Sequence, residues 1–202
     1  MMFSRADKTP LAEWWWSIDR ELLGGLVLLL TCGMVLSFAA SPPVAERIGL
    51  SEWHFVLRHA MFCAIALPVM LATSLLNHRQ ARFVALATLV VSVLLLWATL
   101  RFGTEVKGAR RWMSFAGQSI QPSEFVKPAF AVLSAWLFSE SMIHRNVPGK
   151  ALATGIMLVI VVGLLLQPDI GQTALVLGTW AVLLFLSGIS WFIIFGLAGV
   201  AG

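Results

Sequence analysis

The chain has 202 residues, of which 59% are hydrophobic and 12% charged, and its mean hydropathy is +0.87. A soluble globular domain carries about a quarter charged residues, so the composition excludes that class and indicates an integral membrane protein. The formal charge of +4 comes from Lys and Arg scattered between apolar runs, with no basic face or stripe, and this argues against nucleic acid as a partner.

The N-terminal segment 1–21 is charged and Trp-rich. Trp14, Trp15 and Trp16 followed by Asp19, Arg20 and Glu21 read as a cytoplasmic, interfacial lead-in, because indole rings favour the headgroup level. The segment lacks the short apolar core and small-residue cleavage site of a secretory signal.

A membrane domain is expected over 22–202. Crossing about 30 Å of hydrocarbon takes about 20 apolar residues, and the uncharged runs 22–40, 60–76, 83–100, 151–167 and 171–187, with 122–139, which carries Glu124 and Lys127 in its opening turns, are read as spans on that basis. The first is followed by Ser41, Pro42 and Pro43. The second and third are separated only by 77–82 and read as a helical hairpin. A further apolar run begins at Trp191 and reaches Gly202, twelve residues, or about 18 Å as helix, too short to cross. The expected fold class is an all-α polytopic membrane protein with six whole transmembrane helices and a truncated seventh. Cys32 and Cys63 fall inside apolar runs, have no metal spacing, and read as small buried hydrophobes.

Orientation rests on Lys and Arg near the helix ends. With the N-terminus inside, Arg5, Lys8, Arg20, Arg79, Arg82, Arg145 and Lys150 lie in the cytoplasm, and Arg47, Arg58, Arg101, Lys107, Arg110, Arg111 and Lys127 lie outside. The division is even, but Arg5, Lys8 and Arg20 against Arg47 around the first span favour an inside N-terminus. Five outward cations then gather between Arg101 and Lys127, in and just after an outward loop over 101–121. Cations kept on the disfavoured side suggest an anion held there. His144 and Arg145 with Lys150 read as a solvated cytoplasmic turn.

Within that region the stretch 108–127 reads GARRWMSFAGQSIQPSEFVK. Arg110 and Arg111 offer planar forks that bind phosphate oxygens bidentately; the alternative is ordinary lipid phosphate or a salt bridge to Glu105. Trp112 either supports a sugar ring or marks the interface. Pro122 suits the first turn of a helix capped at Gln121. Glu124 and Lys127, three apart, face one side of that helix, as a cavity lining or as a pair that pins two helices. Pro128, directly after Lys127, invites a kink that would move the two apart. A second polar stretch, LLQPDIGQTALVL over 165–177, breaks the backbone at Pro168 and Gly171. Its Asp169 reads as a helix cap or a bridge to a cation. Arg58, in HFVLRHAMF, enters the second span from outside and either joins the anion site or snorkels to headgroups.

The first stretch resembles the G-A-x-R-W and Q-P-S-E-x-x-K signature of the SEDS proteins, the FtsW and RodA family of cell-wall polymerases, and the second resembles that family's Q-P-D-x-G segment. The N-terminal segments LAEWWWSIDRELL and VLSFAASPPVAERIGLSEWHFVLRHAMF are more similar to the division branch, FtsW, than to the elongation branch, RodA. The resemblance departs at Pro128, where the family has an ordinary helix former.

The resemblance implies a ten-helix SEDS fold in the bacterial plasma membrane, of which this chain is the first part, working at the division septum. It implies an inverting glycosyltransferase that polymerises lipid II beside a class B penicillin-binding protein and other divisome proteins. The partners are thus lipid II, undecaprenyl-pyrophosphate-linked glycan and membrane lipid, with a divalent cation, Mg or Mn, as a candidate cofactor. Arg58, Arg110, Arg111, Trp112, Gln121, Ser123, Glu124 and Lys127 are the expected substrate-binding residues, and Pro168, Asp169 and Gly171 the structural ones. The family's catalytic carboxylate is expected in a loop after the seventh helix, beyond Gly202, and matches no residue here, so the chain alone is expected to be inactive. A lipid II flippase and a non-catalytic divisome scaffold are the alternatives. A flippase needs a polar path to both faces, whereas the polar residues cluster at the outer ends.

Overall fold

A computed structural model of the chain describes residues 9–106, 108–115, 118–144 and 146–188. The truncated seventh span expected from Trp191 to Gly202 lies outside the described residues, as do the topology residues Arg5, Lys8, Lys107 and Arg145. The placement of the family's carboxylate in a loop beyond Gly202 therefore stays an expectation from resemblance. The chain divides into two units, 1–77 and 78–202.

The first unit contains α1 (Pro10–Ser17), α2 (Arg20–Arg47) and α3 (His54–Ser74). Asp19 caps α2 by accepting from the backbone N–H groups of Glu21 and Leu22, each at 3.0 Å, and its carboxylate complements the positive end of the helix. Arg20 lies over the rings of Trp15 and Trp16, 5.4 and 5.2 Å from their centres. Helix α2 does not stop at Ser41. It runs through Pro42 and Pro43 to Arg47, since membrane helices tolerate the lost bonds and ring–carbonyl crowding of interior prolines. α3 begins at His54, ahead of the uncharged run, and so includes Arg58. Leu29 and Leu36 on α2 are 70% and 67% exposed, a surface that suits lipid and not water. Cys32 is exposed as well. It faces outward on an apolar helix and is not the buried hydrophobe expected.

The second unit contains α4 (His78–Phe102), β1 (Thr104–Val106), β2 (Ala109–Phe115), β3 (Gln118–Ile120), α5 (Pro122–Ile143), α6 (Gly149–Leu166) and α7 (Ile170–Leu186). Its helices close on a core that includes Leu96, Phe130, Ile160, Leu164 and Val176, all nearly fully buried. Gly149 and Gly163 allow close approach: a Cβ would fall 1.9 Å from the Leu137 carbonyl oxygen at the first and 2.9 Å from Leu96 Cδ2 at the second. Small residues at such contacts let helices pack where no hydrophobic force drives them together.

The six expected spans are all helical. α2, α3, α4 and α6 are long and apolar enough to cross a membrane, so the chain is a multi-pass membrane protein. α7 has 17 residues, and α5 carries Glu124, Lys127 and Glu140. At the far end of α5, His144 meets Glu140 at 3.0 Å and is well exposed.

The loop over 101–121 is not irregular. It folds as a three-stranded antiparallel sheet in the order β1-β2-β3, turning between the first two strands at Gly108, whose φ of +78° costs a residue without Cβ little. A bulge sets Thr104 opposite Trp112 but Glu105 opposite Arg110. This sheet lies between α4 and α5 in the chain and delivers Arg110 and Arg111 to the end of the helical unit.

Candidate functional site

Arg111 is the extra residue of the bulge in β2, with Arg110 opposite Glu105 and Trp112 opposite Thr104, and the two arginines take different partners. Arg110 turns toward β1 and pairs with Glu105 at 3.4 Å, both side chains about half exposed. Such a pair contributes little and leaves the guanidinium accessible. Arg111 turns inward. Its Nε donates to the carbonyl of Gln167 at 3.1 Å, Nη2 donates to the carbonyl of Pro168, and Nη1 lies 3.8 Å from Asp169 Oδ1. The two arginines expected to bind substrate thus have different partners. Arg111 commits its fork to the turn between α6 and α7, and Arg110 lines the recess beside the same turn.

That turn is fixed from below by Gln167, which is only 2% exposed. Its amide Nε2 donates to the Leu96 carbonyl at 2.7 Å and to the Thr99 hydroxyl. A buried amide must find partners or cost about 1–3 kcal/mol, and here the end of α4 supplies them.

Asp169, the next polar residue, is 6% exposed. Its Oδ1 accepts from the backbone N–H of Gln172 at 3.3 Å, capping α7, and its Oδ2 accepts from Gln121 Nε2 at 3.3 Å. The Gln121 side chain thus does not cap its own helix but crosses to the neighbouring one. Pro122 occupies the first turn of α5, where its missing N–H costs nothing.

One turn along α5, Lys127 Nζ meets Glu124 Oε2 at 2.8 Å. Pro128 does not break that pair, since proline's missing N–H frees a carbonyl one turn back without displacing the side chain of the preceding residue. The other oxygen, Glu124 Oε1, accepts from Gln172 Nε2 at 2.7 Å. Ser123, beside Glu124, is 2% exposed, and among the described residues its hydroxyl and Gln172 Oε1 have no hydrogen-bond partner.

The starts of α5 and α7 are therefore joined by a polar network: Asp169 meets Arg111, Gln121 and the backbone of Gln172, and Gln172 reaches Glu124 and through it Lys127. It brings together five of the residues expected from sequence, with Pro168 contributing a carbonyl. Gly171 sits in the first turn of α7 with open space where a Cβ would point. Trp112 stays on β2, 36% exposed, away from the chain of contacts. Arg58 belongs to the first unit, with its guanidinium 5.9 Å from the Phe62 ring centre. Sequence reasoning missed Gln167, Gln172 and Thr99. The signal was present, because an amide bordering an apolar span must be paired.

Two cations and two carboxylates make the cluster neutral. Beside it, under the sheet, a recess of about 300 Å³ is lined by Glu105, Gly108, Arg110, Gln167 and Pro168. Among the described residues no three of His, Cys, Asp and Glu gather to hold a metal ion, and both carboxylates already accept from N–H groups. This donor set does not fit a divalent cation.

Residues 20–202 match the model of the cell cycle protein family FtsW/RodA/SpoVE. Over 202 residues the chain is 44% identical to a protein of Caulobacter vibrioides named a probable peptidoglycan glycosyltransferase FtsW, covering 98% of this chain and 51% of that one. A protein of the same name from Idiomarina loihiensis is 31% identical over 172 residues, 84% of this chain and 42% of its own. The rod shape determining protein RodA of Thermus thermophilus superposes with a TM-score of 0.73 at 28% identity, over 93% of this chain and 60% of that one. A chain from a peptidoglycan synthase complex that coordinates polymerization and crosslinking superposes with a TM-score of 0.68 at 26% identity, over 93% and 53%. The chain spans about half the length of the curated relatives it matches.

Proposed function

The chain belongs to the FtsW/RodA/SpoVE family of cell cycle proteins, and on that premise we propose that it carries the substrate-handling cluster of a peptidoglycan glycosyltransferase, which polymerises lipid II during septal wall synthesis. The observation that carries this reading is the meeting of the two motif stretches: Gln121 with Asp169, and Glu124 with Gln172. Ionisable groups at a membrane boundary are costly, and they are kept where they line a polar path.

In this reading Arg111, Gln167 and Asp169 are the frame. They hold the turn and set α7 against α5. Arg110, half exposed above the recess, and Lys127 face the lipid-linked substrate. Its pyrophosphate gains negative charge as it leaves, and cations aimed at that charge stabilise the transition state more than the ground state. Trp112 lies near enough on the same strand to border a sugar. The base that deprotonates the acceptor hydroxyl is not assigned to these residues.

The N-terminus lies in the cytoplasm, the sheet faces outward, and the acceptor surface meets lipid II in the outer leaflet beside a class B penicillin-binding protein of the divisome. A lipid II flippase needs polar residues reaching both faces; the chain of contacts described above gathers at one end of α5 and α7. The test is reconstitution of the intact protein with its penicillin-binding partner in liposomes containing lipid II. Glycan strands on a gel are expected; lipid II movement across the bilayer without strands would favour the flippase.

A further inference from the structure

Glu124 is held at both oxygens, by Lys127 Nζ at 2.8 Å and by Gln172 Nε2 at 2.7 Å. The second bond comes from another helix. Gln172 is fixed there in turn, because its backbone N–H donates to Asp169 Oδ1 at 3.3 Å and ties the residue to the capped start of α7. Half of the Glu124 side chain is exposed, so packing alone does not select its rotamer, and an (i, i+3) ion pair at such exposure is a weak restraint. The amide supplies the restraint that the ion pair lacks. An amide N–H to a carboxylate is charge-assisted and directional. With its Nε2 so used, the Gln172 oxygen stays buried without a partner among the described residues, an unfavourable term that this bond offsets.

We propose that Gln172 is a positioning residue that holds Glu124 turned toward Lys127 and so fixes where the Lys127 ammonium meets the substrate. The inference rests on the substrate-site reading given above. It assigns Gln172 an action only through Glu124, and that is its signature. Residues in one hydrogen-bonded network are non-additive, whereas a loss that acts independently of Glu124 adds in either background.

The experiment measures lipid II polymerisation by the intact protein with its partner for Gln172→Met, Glu124→Gln and the double variant, alongside thermal midpoints of each. Gln172→Met is expected to lower kcat/KM about tenfold, the scale of one hydrogen bond to a charged group, with little change in midpoint. In the Glu124→Gln background it is expected to add less than about twofold. Gln172→Glu, which keeps shape but sets a second carboxylate against Glu124, serves if the Met variant fails to fold, and the same loss is expected from it. Equal losses in both backgrounds, or full activity of Gln172→Met beside an impaired Glu124→Gln, would overturn the positioning role. An unimpaired Glu124→Gln would instead overturn the substrate-site reading beneath it.

Discussion

Arg111 and Gln167 form the clasp that sets one motif stretch against the other: the Arg111 Nε donates to the Gln167 carbonyl at 3.1 Å, across 56 residues of chain. The guanidinium is occupied by the turn before α7, and this changes what the residue is expected to do when removed.

Replacing Arg111 with Ala should lower stability as well as activity. It strips a cation from Asp169, whose side chain is 8% exposed, and leaves two turn carbonyls without a donor. The expected cost is about 1–3 kcal/mol, read as a fall in thermal midpoint of the purified protein. Lys at this position should recover only part of it, because an ammonium cannot reproduce the fork. An unchanged midpoint for the Ala variant would show that the clasp is not formed.

Lys127→Ala should behave in the opposite way. The Glu124–Lys127 pair is substantially exposed, so its loss should change stability by less than about 1 kcal/mol. Lipid II polymerisation should fall by about 10²-fold, in line with the loss of one preorganised donor at a developing charge. A midpoint loss as large as that of Arg111→Ala would mark Lys127 as structural.

The spans were legible in the sequence because their lengths match the bilayer, but their ends were not. Arg79 and Arg82 lie inside α4 and Arg58 inside α3, since a helix tolerates charges at its ends that an uncharged-run reading cuts away. The sheet was illegible for a different reason. β2 reads Arg110, Arg111, Trp112, Met113 and Ser114, with no apolar alternation to announce a strand. The motif residues at 121–127 and 167–171 stood out as polar groups beside lipid. Their pairing did not, because Gln121 reaching Asp169 and Gln172 reaching Glu124 each cross 48 positions of chain, a distance no local spacing encodes.

Two glycines on α6 should answer alanine differently. At Gly149 a Cβ would sit 1.9 Å from a backbone oxygen of α5, and at Gly155 it would meet nothing within 4 Å. Gly149→Ala should force α5 and α6 apart and sharply reduce folded protein. Gly155→Ala should be neutral or stabilising by up to about 1 kcal/mol, from helix propensity. Folded yield in detergent and thermal midpoint check both, and equal behaviour would contradict the α5–α6 packing.

The proposed topology predicts which loops water-soluble reagents reach. A cysteine at Ser114, exposed on β2, should react with a membrane-impermeant maleimide in intact spheroplasts. One at Asn146, exposed between α5 and α6, should react only after lysis. The reverse pattern would place the sheet in the cytoplasm.

The central claim is that the start of α5 meets a lipid-linked sugar, and photocrosslinking tests it most directly. Phe125, next to Glu124 and 51% exposed, accepts a benzophenone analogue with little change, and Met142, 61% exposed at the other end of the same helix, is the control. In liposomes holding the intact protein and labelled lipid II, position 125 should give a light-dependent adduct that unlabelled lipid II competes away and phosphatidylglycerol does not, and position 142 should give none. Equal adducts at both positions, or an adduct at 125 that phosphatidylglycerol removes as well, would contradict the account.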